Sequence, residues 1–246
     1  MRKFIASLAV AVTAVSSPIA AGAAVPPPRA SLGVSTNIAI PNNLLAIQFT
    51  DSAGHSHTFR DLHSTTLVVP FLTLCPEVCP FTSGNAIQVA RHLRESHSSL
   101  ARVICLSVDP ERDTPKRLAA YRKLIGLNGT HTPIALWRAS SEDTATFMKF
   151  FGMTTDRMKA DPSLRDWWTH KPLKYDLDHS DGFYVISKTL HLRYISGLGP
   201  RFVGTLTKSM ERYLSKDGLN TLRHPLKGWS PKDALAAMSY VAKRPL

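Results

Sequence analysis

Leu67-Val68-Val69-Pro70-Phe71-Leu72-Thr73-Leu74-Cys75-Pro76-Glu77-Val78-Cys79-Pro80 is the stretch around which this chain is organised. Its first six residues form an apolar, partly β-branched run of the kind that makes a buried strand. Beyond Pro80 the apolar residues Ala86, Val89, Ala90 and Leu93 recur at helical spacing. Two cysteines therefore sit where a strand becomes a helix. The first turn of a helix leaves backbone N–H groups unpaired, and its dipole favours a nearby negative charge. Cysteines there tend toward the thiolate, the form that binds soft metals and attacks disulfides. Pro76 and Pro80 stiffen the loop by fixing φ. Three residues separate the sulfurs, against two in a thioredoxin-type redox motif. Such a pair can close a disulfide or hold one metal ion from two sides, and the spacing alone does not choose.

The 246 residues leave room for one sizeable domain with appendages, and 43% hydrophobic with 20% charged residues are ordinary globular values. Arg2 and Lys3, the apolar stretch from Phe4 to Val15 and the small residues Ala21-Gly22-Ala23 predict an export signal over residues 1–23. The alternative is an uncleaved amino-terminal anchor. Either places the protein in the periplasm or another extracytoplasmic compartment. Cleavage would remove only two basic residues from a chain of formal charge +12, so the balance stays strongly basic. It favours anionic membrane surfaces or acidic protein partners, or serves only to keep an exported protein soluble. Nucleic acid is not expected, because Lys and Arg are scattered and no nucleic-acid motif is present. Of the three cysteines, Cys105 lies in the β-branched run Arg102 to Val108 and is expected to be an inert strand residue.

In chain order, residues 24–43 with Pro26-Pro27-Pro28 read as a Pro-rich linker. An N-terminal hairpin follows, Leu45 to Thr50 and Thr58 to Leu62 about the turn Asp51-Ser52-Ala53-Gly54. After the cysteine loop and its helix to about Ser96 comes a second strand around Cys105. Thr114 and Pro115 then open a helix that stops near Gly126 or Gly129. A strand from Pro133 to Trp137 precedes a helix begun at Ser140 or Ser141, with Phe147, Phe150 and Phe151 on its buried side. Residues 154–174 lack a period and read as an inserted loop. A hairpin, Gly182 to Ser187 and Leu190 to Ile195, and a helix from about Arg201 to Leu214 close a domain spanning 44–215. Residues 216–246 read as a basic tail with one short helix after Ser230-Pro231. This alternation is an α/β pattern with a central mixed sheet flanked by helices, for which the thioredoxin-like fold is the natural candidate.

Two thiolates alone seldom satisfy a metal ion, so a nitrogen donor is needed. Of ten histidines, His55 and His57 flank a hairpin turn, where solvated positions are the simpler expectation. His92 and His97 lie on the first helix, where surface positions are the simpler expectation, His170 in the inserted loop, and His131, His191 and His224 in no pattern. His179 differs. It stands in Tyr175-Asp176-Leu177-Asp178-His179-Ser180, just before the strand Phe183 to Ile186, in the loop that a thioredoxin-like fold turns toward the cysteines. With Cys75 and Cys79 it would complete an S₂N set suited to copper, sulfur favouring Cu(I) and imidazole Cu(II); zinc with a water is chemically allowed. A polar loop residue near the surface is the alternative for His179.

The motifs Thr73 to Pro80, Ser107-Val108-Asp109-Pro110-Glu111-Arg112-Asp113-Thr114-Pro115 and Asp178-His179-Ser180 resemble, in order, those of the Sco/SenC family, over roughly residues 40–214. These are exported or membrane-tethered thioredoxin-like copper proteins that help build the copper centre of cytochrome c oxidase. The resemblance implies that Cys75 and Cys79 are copper-binding thiolates and His179 the imidazole ligand. It also implies a metallochaperone carrying Cu(I), Cu(II) or both to an apo cytochrome c oxidase subunit or another copper acceptor. A thiol-disulfide oxidoreductase reducing the acceptor's cysteines is the alternative. Asp109 to Pro115 is expected to end a strand and start a helix, and Glu77 to be a solvated charge. Leu74, the inserted loop with Trp167 and Trp168, and the tail from Lys216 depart from the family pattern.

Overall fold

The computed structural model describes residues 24–127 and 132–246; the expected export segment, Gly129 and His131 lie outside the described residues. Residues 24–43, expected as a linker, contain strand β1 (Val34–Ala39). Pro41 then stands at the N-cap of a single-turn helix, α1 (Asn42–Leu45). The expected hairpin is present but short, β2 (Phe49–Asp51) and β3 (Ser56–His57). Local helical turns consume its outer parts: Leu45 ends α1, and Thr58 and Asp61 cap a 3-10 turn reciprocally.

The apolar run becomes β4 (Thr65–Phe71), every residue of it buried, and leads through the cysteine loop into α2 (Cys79–Glu95). Next come β5 (Ala101–Ser107), which carries Cys105, and α3 (Pro115–Leu124). Thr114 caps α3 by accepting from the Arg117 N–H, and Pro115 supplies a pre-set φ where no N–H is needed. β6 (Ile134–Arg138) precedes α4 (Ser141–Phe151), which Ser140 caps and which buries Phe147 and Phe151. The segment expected as an inserted loop holds a strand, β7 (Thr155–Met158), which pairs with β8 (Asp176–His179). β9 (Phe183–Ile186) and β10 (His191–Ser196) form the expected final hairpin. The closing helix is only α5 (Lys208–Tyr213). Gly204 at φ +147° is incompatible with a helix, and Thr207 places the cap late. Then follow α6 (Lys216–Arg223) and α7 (Pro231–Ala242).

Eight strands form one sheet in the order β1-β10-β9-β4-β5-β6-β2-β3. β4, β5 and β6 run parallel and the other pairs are antiparallel, so the sheet is mixed and flanked by helices, as expected for the thioredoxin-like fold. β4 and β5 are nearly continuous apolar runs because parallel strands are covered on both faces. Their register pairs Phe71 with Ser107, so the cysteine loop and the Asp109 to Pro115 loop leave the sheet side by side.

The expected basic tail belongs to the packed body. α7 lies on α2, β4 and β9, and Trp229, Ala234, Ala237 and Met238 are fully buried. Among the described residues no helix is long and apolar enough to cross a membrane. If this packing is integral, Trp229→Ala should lower the free energy of unfolding by about 3–5 kcal/mol, the usual cost of deleting a buried tryptophan. Chemical denaturation measures it; a loss below about 0.5 kcal/mol would mean that the segment is a detachable appendage.

Candidate metal centre

The chain leaves the sheet after Phe71 through Thr73, and Thr73 is held on all its polar atoms. The Asp113 carboxylate accepts from its backbone N–H at 3.3 Å and its hydroxyl at 2.6 Å. Its carbonyl accepts from Trp167 Nε1 at 2.7 Å and from the Tyr213 hydroxyl at 3.1 Å. Asp113 also accepts from the Ser107 hydroxyl at 2.6 Å. Burial and the charge of Asp109 push its pKa up to about 6, against the hydrogen bonds from Ser107 and Thr73. The Asp109 to Pro115 motif therefore does more than end a strand: it ties the cysteine loop to β5. Asp166, the residue before Trp167, forms a two-pronged ion pair with Arg117 at 2.9 and 2.7 Å and accepts from the N–H groups of Trp168 and Thr169, which fixes the backbone around Trp167.

Cys79 is the first residue of α2, and Val78 at the N-cap offers no side-chain acceptor. The Cys75 sulfur takes that place, accepting from the N–H groups of Val78 at 3.4 Å and Cys79 at 3.5 Å. Cys75 is half-buried, Cys79 is buried, and the two are free thiols. A hydrogen bond from Cys79, outweighing burial and joined by His179, holds the Cys75 thiol well below its ordinary range. Burial, and the donation of its proton to Cys75, push Cys79 well above. The two shifts are opposed: the negative charge is favoured on Cys75 and the proton on Cys79.

His179, expected in a loop, is the last residue of β8 and is buried. Pairing with β7 fixes its backbone, Thr155 opposite His179 and the Ser180 N–H on Thr154 O at 3.1 Å. Its Nδ1 lies 2.9 Å from the Ser180 carbonyl, with Asp181 Oδ1 behind at 3.6 Å. That arrangement commits Nδ1 to donating and aims Nε2 at the Cys79 sulfur, 3.2 Å away. Burial lowers the imidazole pKa, but the Cys75 thiolate and Asp181 overcome it and raise the value to about 9. The Nε2 contact is with Cys79, whereas the imidazole proton is held by interaction with Cys75 and Asp181.

Cys75, Glu77, Met158 and His179 line a cavity of about 70 Å³, together with Asp176, Asp178 and Asp181. It admits an ion and a water, not an organic cofactor. Four carboxylates around it, in a chain of charge +12, make a local field suited to a cation. Glu77, expected to be solvated, is half-buried; burial, the Cys75 thiolate and Asp176 push its pKa up. Asp181 is pushed up to about 6, chiefly by burial. Among the described residues no three His, Cys, Asp or Glu side chains form a ready-made metal cage. Two donors, Cys79 and His179, are in contact, and Cys75 is engaged with the helix N-terminus.

Cys105 is buried in β5 with its thiol pushed up to about 12 by burial, an unreactive state. His55 and His57 share Asp51, at 3.4 and 3.0 Å, on the β2–β3 hairpin. The sequence did not single out Asp113, Trp167, Asp181 or Gly218 as functional. Only Asp113 sat within a recognisable motif. Gly218 opens α6 against the cysteine loop: a Cβ there would lie 2.5 Å from Pro76 O, and the Ser215 N–H bonds that same oxygen at 3.0 Å.

Gly218→Ala must therefore displace the loop, with an expected stability loss of about 1–3 kcal/mol. Alkylation of Cys75 should be altered in parallel; unchanged unfolding and unchanged alkylation would deny α6 this supporting role. The thiolate–imidazolium pair also has a pH signature. The raised His179 pKa contributes stability that is complete below about 6.5 and is lost as the pH rises through about 9, whereas the depressed Cys75 pKa contributes stability that is complete above 9.0 and is lost as the pH falls through its lowered value. The imidazole resonance should titrate near 9, and in Cys75→Ser it should move toward the ordinary histidine range; an unmoved titration would remove Cys75 as the cause.

A family model described as SCO1/SenC matches residues 45–198, more than half of the chain. The human mitochondrial protein SCO1 homolog is 34% identical over 93 residues, which cover 35% of this chain and 31% of that protein. The bovine mitochondrial protein SCO2 homolog is 33% identical over 93 residues, 35% of each. The chain thus spans about a third of the length of the curated relatives it matches. Among solved structures, that of Arabidopsis thaliana ScoI with copper bound aligns with a TM-score of 0.50 at 19% identity, covering 61% of this chain and 85% of that one.

Proposed function

From the premise that this chain belongs to the SCO1/SenC family, we propose that it is a copper metallochaperone whose ligands are Cys75, Cys79 and His179. The observation that carries the proposal is the 3.2 Å approach of His179 Nε2 to Cys79 Sγ, beside a small acid-lined cavity that Cys75 and His179 line. The sulfur and nitrogen ligands of one tetrahedral ion sit roughly 3.5 Å apart, from bond lengths of about 2.3 and 2.0 Å. These donors are already near that spacing. Two thiolates and an imidazole form the soft, mixed set that suits copper. The copper named with the Arabidopsis protein is that protein's own; here the donor chemistry supports the same cargo.

Loading requires Cys79 to give up its thiol proton and His179 its imidazolium proton, while Cys75 is deprotonated already. Cys75 is half-buried and lines the cavity, the side from which an acceptor would reach it and draw the ion away by ligand exchange. The acceptor we propose is an apo cytochrome c oxidase subunit or another exported copper protein. The Arg2-Lys3 start and the small residues before Ala24 support export, or tethering, in an extracytoplasmic compartment.

The opposed shifts of the two thiols favour a second activity at the same site. The Cys75 thiolate would attack an acceptor disulfide, forming a mixed disulfide and releasing one acceptor thiolate, which takes the His179 proton. Cys79 would then attack the Cys75 sulfur, its own proton passing to the second acceptor sulfur. The acceptor is reduced, and Cys75 and Cys79 become a disulfide.

Calorimetric copper titration of the reduced protein, in buffers of different protonation enthalpy, should show about two protons released per ion at pH 7 and fewer above pH 9. His179→Ala should bind more weakly and release one proton fewer, and Cys75→Ser should lose the strong thiolate-to-Cu(II) absorption. Full affinity in His179→Ala would exclude this imidazole from the site.

A further inference from the structure

At the opposite end of β4 from the cysteine loop lies a second cavity, of about 430 Å³. β4 has seven residues, so the two sites are roughly 20 Å apart. Four segments meet there: the entry to β4, the entry to β5, the β9–β10 turn and the end of α7. Five basic side chains line it, His63, Lys188, Arg193, Lys243 and Arg244, and no acidic one does. None of the five is ion-paired with another described residue. Asp61, whose charge feels His63, is occupied in capping Thr58. The four fixed charges of Lys188, Arg193, Lys243 and Arg244, gathered in one concavity without ion-pair partners among the described residues, repel one another, and a bound anion relieves that repulsion.

The remaining lining is suited to a particular anion. Hydroxyls of Ser64, Ser99 and Thr189 stand among the cations; hydroxyls and guanidinium groups together are typical donors to phosphate oxygens. Leu100 and Val241 provide apolar wall, and the volume lies in the range of small-molecule sites rather than of a bare ion. The end of α7 is not free to swing away, because the Leu246 oxygen is held by His92 Nε2 at 3.0 Å and its N–H by Ser239 Oγ at 3.2 Å. Ligands of open α/β sheets usually bind at the carboxyl ends of the parallel strands. This cavity is at the amino ends, and two of its cations come from beyond the segment that the family model matches.

We propose that this cavity binds the phosphate group of a small organic phosphate ester, either free or presented as the headgroup of an anionic phospholipid. The cations and hydroxyls take the phosphate oxygens, and the carbon body rests on Leu100 and Val241.

The full chain is titrated with glycerol 3-phosphate by calorimetry, and in parallel with phosphatidylcholine vesicles with and without phosphatidylglycerol by sedimentation. Two doubly charge-reversed variants accompany the wild type: Lys188→Glu with Arg244→Glu in the cavity, and Arg91→Glu with Lys208→Glu outside it. All four positions are exposed, and the net charge change is the same. Saturable binding of glycerol 3-phosphate, weakened about tenfold or more by the cavity pair and retained by the other, is expected for a soluble ester. The same pattern seen only with phosphatidylglycerol vesicles assigns the site to a lipid headgroup. The proposal is overturned if neither probe binds saturably, or if the two variants bind alike, since net charge would then account for any attraction.

Discussion

The cysteine loop is where it is because Thr73 cannot move. A strand buried on both faces delivers the chain to this residue, and three distant side chains, Asp113, Trp167 and Tyr213, take up its amide, hydroxyl and carbonyl. Buried backbone groups left unpaired are costly, so any shift of the loop would break several bonds together. The position of Cys75 relative to α2, and of Cys79 relative to β4, follows from that restraint.

Electrostatics then divides two chemically identical thiols. Cys75 receives two backbone N–H groups at the start of α2, while Cys79 is enclosed and, among the described residues, accepts only the Leu72 N–H from the backbone, at 3.5 Å. The helix terminus stabilises one negative charge and burial forbids a second. His179, its Nδ1 engaged by Ser180, supplies the balancing positive charge across the gap. With the ligand set we propose, an arriving cation would meet the sulfur favoured for the charge and two groups that must each release a proton, which would make uptake dependent on pH. The carboxylates of Asp176, Asp178 and Asp181 set the local field without competing with the sulfurs for a soft ion.

Two features taken for appendages help to build the site. The segment 154–174 supplies β7, which orders His179 through strand pairing, and Trp167, which fastens Thr73. The carboxyl-terminal residues supply Gly218, close against Pro76, and Trp229, whose Nε1 donates to the Asp181 carbonyl at 3.2 Å. Neither contribution was legible in the sequence. Trp167 is 94 residues from Thr73 and Trp229 is 48 from Asp181, and neither lies in a periodic pattern. Linker residues 34–39 likewise became an edge strand because β10 offered a free edge to pair with, a fact that lies outside those six residues.

Local chemistry in the sequence was sufficient for the elements whose signals are local. The apolar run of β4, the caps Thr114 and Ser140, and the final hairpin all follow from side-chain hydrophobicity and backbone preference within a few residues. The ordered motifs carrying Cys75, Cys79 and His179 were equally legible, because the family resemblance rests on residues contiguous in the chain. Tertiary structure alone decided which sulfur is favoured for the charge, which imidazole nitrogen faces Cys79, and that a basic cavity forms at the far end of the sheet. Those properties depend on burial, on hydrogen-bond partners tens of residues away and on the summed field of several elements, none of which exists until the chain has folded.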